Sequence, residues 1–171
     1  IGESKVADAQ LGYEKMLSAY IAAASGANLL WGSGHWENAM HACYKTLVLD
    51  NEVWKIVSRA IDGIAVSEET LALDPIHTIG PGGTFLAHKH TLAHHLKEHF
   101  IPELTDRFSR DTWKKAGSKD ILKRAEDKAN KILKNHWPPP LEKSIDEQLR
   151  KMVRSAEKRS GIPKNAIPQS S

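Results

Sequence analysis

Five of the nine histidines fall between His88 and His99, in HKHTLAHHLKEH, and three residues of that run stand at a spacing that does chemistry. His95, Glu98 and His99 spell H-x-x-E-H, the inverted zinc-peptidase order, in which imidazoles four apart on a helix hold the metal and the glutamate activates its water. Such a centre also needs a third protein ligand, a substrate cleft and carboxylates behind the imidazoles, and no residue of the sequence identifies itself for those parts. Histidines on the surface of an amphipathic helix are the preferred account, and a zinc-dependent hydrolase is kept as an alternative. A second alternative is a basic helical binding module. Residues 101–171 carry 17 Lys and Arg against 10 Asp and Glu, whereas residues 1–100 carry 7 against 11. In KDILKRAEDKANKILK, however, bases and acids interleave at helical spacing, which favours a solvated helix face, and no RNP, KH, finger or zipper signature accompanies it.

The elements that position such groups read as helices. Residues 8–25 form one, capped by Asp8, with Leu11, Leu17, Tyr20, Ile21 and Ala24 on a shared face and Gly26 as its left-handed stop. LDNEVWKIVSRAIDG gives another, with Asp50 as cap, Val53, Ile56, Val57, Ala60 and Ile61 inward and Gly63 as stop. Ser67 caps EETLALDPIHTIG, which ends at the GPGG turn of Gly80–Gly83, and FLAHKHTLAHHLKEHF is halted before Pro102. Beyond a looser stretch, Ser118 caps a helix with Ile121, Leu122, Ala125, Ala129, Ile132 and Leu133 on one side. WPPP at Trp137–Pro140 is a stiff connector, and Ser144 with Glu147 makes a capping box for a last helix striped by Ile145, Leu149, Met152, Val153 and Ala156. The tail from Gly161 onward frays.

One segment breaks the pattern. Ala27–Trp31, in SGANLLWGSGHW, is an apolar run between glycine breaks, too short for a helix, and it reads as a core strand without a second strand to pair with. A helix feeding a strand through one glycine is half of a parallel α/β unit, and the chain begins with Ile rather than Met. The expectation is the last part of a (β/α)8 barrel that is mainly α as isolated: residues 1–101 as the final barrel segment, with the strand near 27–31 and flanking helices, and residues 102–171 as a helical extension and tail. Loops after strands lie at the face of a barrel where chemistry is done, so GSGHW and GESKVADAQ would line one mouth. No apolar run approaches a membrane span, no leader pattern opens the chain, and the single Cys43, read as a small buried hydrophobe, fits a reducing compartment; a cytoplasmic location is expected.

Over nearly its whole length the chain resembles the C-terminal third of the trimethylamine methyltransferase family. The stretches that carry the resemblance are SKVADAQLGYEKMLSAYIAAASGANLLWGSG, YKTLVLDNEVWKIVSRAIDGIAVSEETLALDPI, IGPGGTFLAHKHTLAHHLKEHFIPELTDR and WKKAGSKDILKRAEDKANKILKNHWPPPL, in that order. The resemblance implies a barrel enzyme that moves a methyl group from trimethylamine, or from a quaternary amine such as glycine betaine, to the cobalt of a corrinoid protein. No cofactor is then bound directly by this chain, since the cobalamin-type corrinoid rides on the cognate partner, and the full-length protein is a homo-oligomer that binds neither nucleic acid nor membrane. In the trimethylamine branch a pyrrolysine precedes a stretch similar to GESKVADAQ, at or immediately before Ile1. With Ile1 in that place, the chain resembles the branch without pyrrolysine; with pyrrolysine just upstream, it resembles a product interrupted at an amber codon. It departs from many relatives in having Tyr13 in GYEK where they have His, and in the tryptophan content of WGSGHW.

A tertiary or quaternary ammonium is best held by aromatic faces, because the ring quadrupole attracts a diffuse cation with few or no donors. The substrate-binding residues expected at the mouth are therefore Tyr13 and Trp31, with Gln10 and Glu14 on the same helix end and Gly32, Ser33 and Gly34 in the loop; Trp36 is a weaker candidate. No catalytic residue is assigned. A quaternary nitrogen is already a leaving group, so the chemistry demands no general base.

Overall fold

The Asp8 carboxylate accepts the Leu11 N–H at 3.1 Å and starts helix α1, Ala9–Ala24, which Gly26 ends with φ +82°. The computed structural model describes residues 2–161, in two compact units that end at Lys134 and begin at Asn135. Ile1 and the tail after Gly161 lie outside the described residues, as does the pyrrolysine question attached to Ile1. In the first unit the chain continues from α1 through a two-residue strand pair, β1 (His35–Trp36) and β2 (His41–Ala42), into α2 (Tyr44–Asp62). Short helices α3 (Glu68–Leu71) and α4 (Leu73–Ile79) follow, then α5 (Lys89–Glu98), α6 (Arg110–Lys115) and α7 (Ile121–Asn135). The second unit is α8, Lys143–Arg159. The described residues are mainly helical, and none of their helices is long and apolar enough to cross a membrane.

The expected strand at 27–31 carries no ladder. Ala27–Trp31 is unpaired, with Leu29 88% and Trp31 77% exposed, because no segment among the described residues offers it a backbone edge. The ladder that forms is β1 against β2, antiparallel, with Trp36 also bridging Gly2 in parallel. Glu37, Asn38 and Ala39 between them all have positive φ.

Helix α2 begins seven residues earlier than the sequence suggests. Cys43, partly exposed rather than buried, is its N-cap, and Asp50 lies inside the helix, 4% exposed, paired with Lys15 of α1. The face of α1 turned to α2 is Leu11, Lys15 and Ala19, while Leu17, Tyr20 and Ile21 are at least 45% exposed. Asp50 is thus no cap: a carboxylate three residues before a run of apolar positions signals a cap only when the helix has not already begun.

Other corrections are local. Ala72 at φ +53° splits the expected single helix into α3 and α4, which places Pro75, without an N–H to donate, in the first turn of α4, where that donor would be unpaired anyway. Ser67 caps α3 through a reciprocal bond pair with Thr70, as expected of it. Ser118 does not cap α7; Asp120 does, accepting the Lys123 N–H at 2.7 Å, and the looser stretch before it holds α6, capped by Ser109. In α8, Ser144 lies within the first turn and donates to Glu142, so the Ser144–Glu147 box does not form.

The segment after α5 is fastened by Glu52 of α2, 4% exposed, whose carboxylate accepts the N–H groups of Glu103, Leu104 and Thr105 at 2.8, 2.6 and 2.8 Å and the Thr105 hydroxyl at 2.7 Å. Burial pushes the Glu52 carboxyl up, but these donors outweigh it and hold its pKa below the usual carboxylate value. Beside it the Lys128 ammonium, and then that of Lys55, hold the exposed Glu103 carboxyl down at about 2. Both pKa values are depressed in the folded chain, so the stability these groups contribute is complete above their unfolded value near 4.5 and is lost as pH falls below it. Glu103 is solvent-screened and its share is small. Glu52→Gln, which sets an amide N–H₂ against three backbone donors, is expected to cost about 2–3 kcal/mol in urea unfolding at pH 7, with the difference from wild type shrinking below pH 4.5.

Candidate active site

The loop Gly32–Gly34 joins the exposed Trp31 to β1, and α2 holds it from behind with three side chains. Asp50 Oδ2 accepts the Gly34 N–H at 2.6 Å while it pairs with Lys15 Nζ. Thr46, fully buried, donates its hydroxyl to the Gly34 carbonyl at 2.8 Å. Trp54 donates its indole N–H to the Ser33 hydroxyl at 2.8 Å. Residues 46, 50 and 54 lie four apart, one per turn along a single stripe of the helix. Gly34 has φ +80°, and a Cβ there would stand 3.2 Å from that of Leu47, so the backbone's approach to α2 depends on glycine.

Trp31 itself packs on His35, ring centroids 5.6 Å apart at 34°, and keeps most of its surface open. With Gly32, Ser33, Leu30, Trp54 and the Lys15–Asp50 pair it lines a small cavity of about 150 Å³. Asp50 Oδ1 is buried and accepts no hydrogen bond among the described residues. Tyr13, on the first turns of α1, is 63% exposed. Gln10 and Glu14 are engaged in shaping the N-terminal segment: Glu14 accepts the Glu3 and Ser4 N–H groups at 2.7 and 3.3 Å and the Gln10 amide at 2.8 Å. The Gln10 bond leads in lowering the Glu14 pKa, against the opposing effect of burial. Trp36 stacks on His41 at 5.5 Å, with its indole nitrogen buried and without a hydrogen-bond partner among the described residues.

The histidine run separates in space. α5 ends at Glu98, so His99 leaves the helix with φ −98° and ψ 124° and the i, i+4 geometry of a zinc pair is lost. Glu98 is drawn to Arg59 at 3.0 Å, and His95 bonds carbonyls of its own helix. His90 and His94 stack at 4.2 Å and face Glu69 instead. Among the described residues no three His, Cys, Asp or Glu stand where they would hold a metal ion. Several bases in and just before α7 are paired within the segment, Lys119 with Asp127 and Lys123 with Glu126 and Asp127.

The sequence pointed to Trp31, Gly32, Ser33 and Gly34 but not to Lys15, Thr46, Asp50 and Trp54 that fix them. The signal was present: Lys15 falls between Leu11 and Ala19 at i, i+4 and i+8, and Asp50 precedes Val53 and Val57 at i+3 and i+7, so each charge holds a core register of its helix.

A family model described as trimethylamine methyltransferase matches residues 1–161. The trimethylamine methyltransferase MttB of Desulfitobacterium hafniense is 37% identical over 165 residues, which is 96% of this chain and 33% of that protein. MttB of Methanosarcina barkeri is 39% identical over 157 residues, 91% of this chain and 31% of the relative. A glycine betaine methyltransferase of Desulfitobacterium hafniense is 34% identical over 162 residues, 94% and 34% respectively. The chain therefore spans about a third of the length of the curated relatives it matches.

Thr46→Val keeps shape and removes the donor of the Gly34 carbonyl. We expect a loss of about 1–3 kcal/mol in urea unfolding, whereas Thr112→Val, at an exposed hydroxyl of α6, should cost under about 0.5 kcal/mol.

Proposed function

The chain belongs to the trimethylamine methyltransferase family, and from that premise we propose that the protein containing it moves a methyl group from a methylated amine to the cobalt of a corrinoid carried by a separate protein. What carries the reading is the continuous family match over residues 1–161, joined by relatives whose named substrates, trimethylamine and glycine betaine, share a methylated nitrogen. The corrinoid supplies the nucleophile that accepts the methyl group, which no side chain of this sequence replaces. The residues of this chain then bind and orient. Trp31 presents an open aromatic face at the end of a loop fixed by Thr46, Asp50 and Trp54, the arrangement a diffuse ammonium cation calls for. Tyr13 supplies a second exposed ring on the neighbouring helix. Gln10 and Glu14 serve the site by holding Glu3 and Ser4 in place.

In this reading the unpaired Ala27–Trp31 segment is a strand of a (β/α)8 barrel whose neighbours come from the rest of the protein. Support comes from its unpaired, exposed course and from its place between α1 and α2, the order of a parallel α/β unit. A site at the mouth of such a barrel draws on the ends of several strands, so this chain alone is inert and a cytoplasmic, full-length enzyme is the active species.

The test is methylation of a reduced corrinoid protein by full-length enzyme, offered trimethylamine, other methylamines and glycine betaine. Transfer from at least one is expected, with Trp31→Ala lowering kcat/KM about tenfold or more and the 171-residue chain showing none. Failure with every donor, given a competent partner, refutes the function; transfer indifferent to Trp31→Ala and Tyr13→Ala removes only the aromatic assignment.

A further inference from the structure

Helix α8, together with its N-cap residue Glu142, carries a seam that is complementary to itself. Glu142, Ile145, Leu149, Met152, Ala156 and Arg159 follow one another at intervals of 3, 4, 3, 4 and 3 residues, the spacing that keeps one line of side chains facing a partner helix. Its apolar members stand open: Ile145 is 45%, Leu149 46% and Met152 68% exposed, with Val153 beside them at 53%. The seam begins with a carboxylate and ends with a guanidinium, and among the described residues the Glu142 carboxylate is engaged by the hydroxyl of Ser144 within its own turn.

We propose that α8 pairs antiparallel with α8 of a second copy of this chain. Laid antiparallel about the midpoint between Arg150 and Lys151, the seam sets Glu142 against Arg159 of the other copy at both ends, Ile145 against Ala156, and Leu149 against Met152. Each large side chain then meets a small or flexible one, and both terminal charges are matched. A parallel pair would set Glu142 on Glu142 and Arg159 on Arg159, two like-charge contacts on a seam only four apolar residues long. Charge thus selects both the partner and the direction. The 17-residue helix is about 25 Å long, so a pair of them offers a short interface and a weak dimer is expected.

The experiment uses the 171-residue chain in a Cys43→Ser background, since Cys43 is its one cysteine. Glu142→Cys and Arg159→Cys variants, mixed and oxidised, should give the mixed disulfide in at least tenfold excess over either self-linked product. Sedimentation equilibrium should show dimers that Leu149→Asp with Met152→Asp abolishes while far-UV helicity of the first unit persists. Arg159→Glu should weaken the dimer about three- to tenfold at low salt, and the charge swap Glu142→Arg with Arg159→Glu should restore it. Monomers at all concentrations up to several hundred micromolar overturn the proposal. So do self-linked products at Glu142→Cys equal to the mixed one, or association that the Leu149 and Met152 substitutions leave intact. Binding of the wild type to anionic phosphatidylserine vesicles, lost in the Leu149→Asp, Met152→Asp variant and unaccompanied by any mixed disulfide, would assign the face to a membrane surface instead and equally overturn it.

Discussion

Lys15 and Asp50 meet in the interior between α1 and α2, their side chains 7% and 6% exposed, and the arrangement of the first unit follows from that pair. Taking two charges out of water costs several kcal/mol each, and the cost is offset only when geometry and further hydrogen bonds are good. Here Asp50 Oδ2 also receives the Gly34 N–H, so one oxygen binds α1, α2 and the loop between them into a single unit. Removing either partner would strand a buried charge, a loss of about 3–5 kcal/mol. Specific position, rather than net stability, is what such a pair supplies in this fold.

Helix α2 is accordingly the organiser of the unit. One stripe, Thr46, Asp50 and Trp54, grips Gly34 and Ser33, while Glu52 on another side takes three successive amides of the segment after α5. Neither grip is a hydrophobic contact; each satisfies backbone groups of loops that have no ladder of their own. Trp31 leaves this fixed loop into the open, and the rigidity behind it contrasts with the exposure in front. A methylated ammonium needs a ring surface held still more than it needs hydrogen bonds, which is why the loop's anchors bear on the proposed chemistry.

Local signals were legible in the sequence. Asp8 caps α1, Ser67 caps α3, and Gly26 and Gly63 take positive φ, because each of these depends on residues within one turn. The aromatic and glycine residues of the candidate site were legible too, from type and from their place after an apolar run. Long-range polar contacts were not. Asp50 read as a cap because a single sequence does not show that Lys15, 35 residues away, shares its core register, and Ser118 read as a cap although Asp120 stood two residues on. The α1 face of Leu17, Tyr20 and Ile21 read correctly as apolar, yet α2 covers the opposite register, and periodicity alone does not tell which of two faces a neighbour takes. Helix α6 was missed because six residues are too few for a period to show.

The central claim, that Asp50 fixes the loop that carries Trp31, is tested most directly by amide hydrogen exchange at Gly34. Its N–H points at the Asp50 carboxylate and belongs to no helix. In Asp50→Asn, at a pH where the chain keeps its far-UV helicity, the account predicts that Gly34 loses protection by about a hundredfold, while amides within α7 change far less. Protection of Gly34 equal to that of the wild type, with α2 still helical, would contradict it.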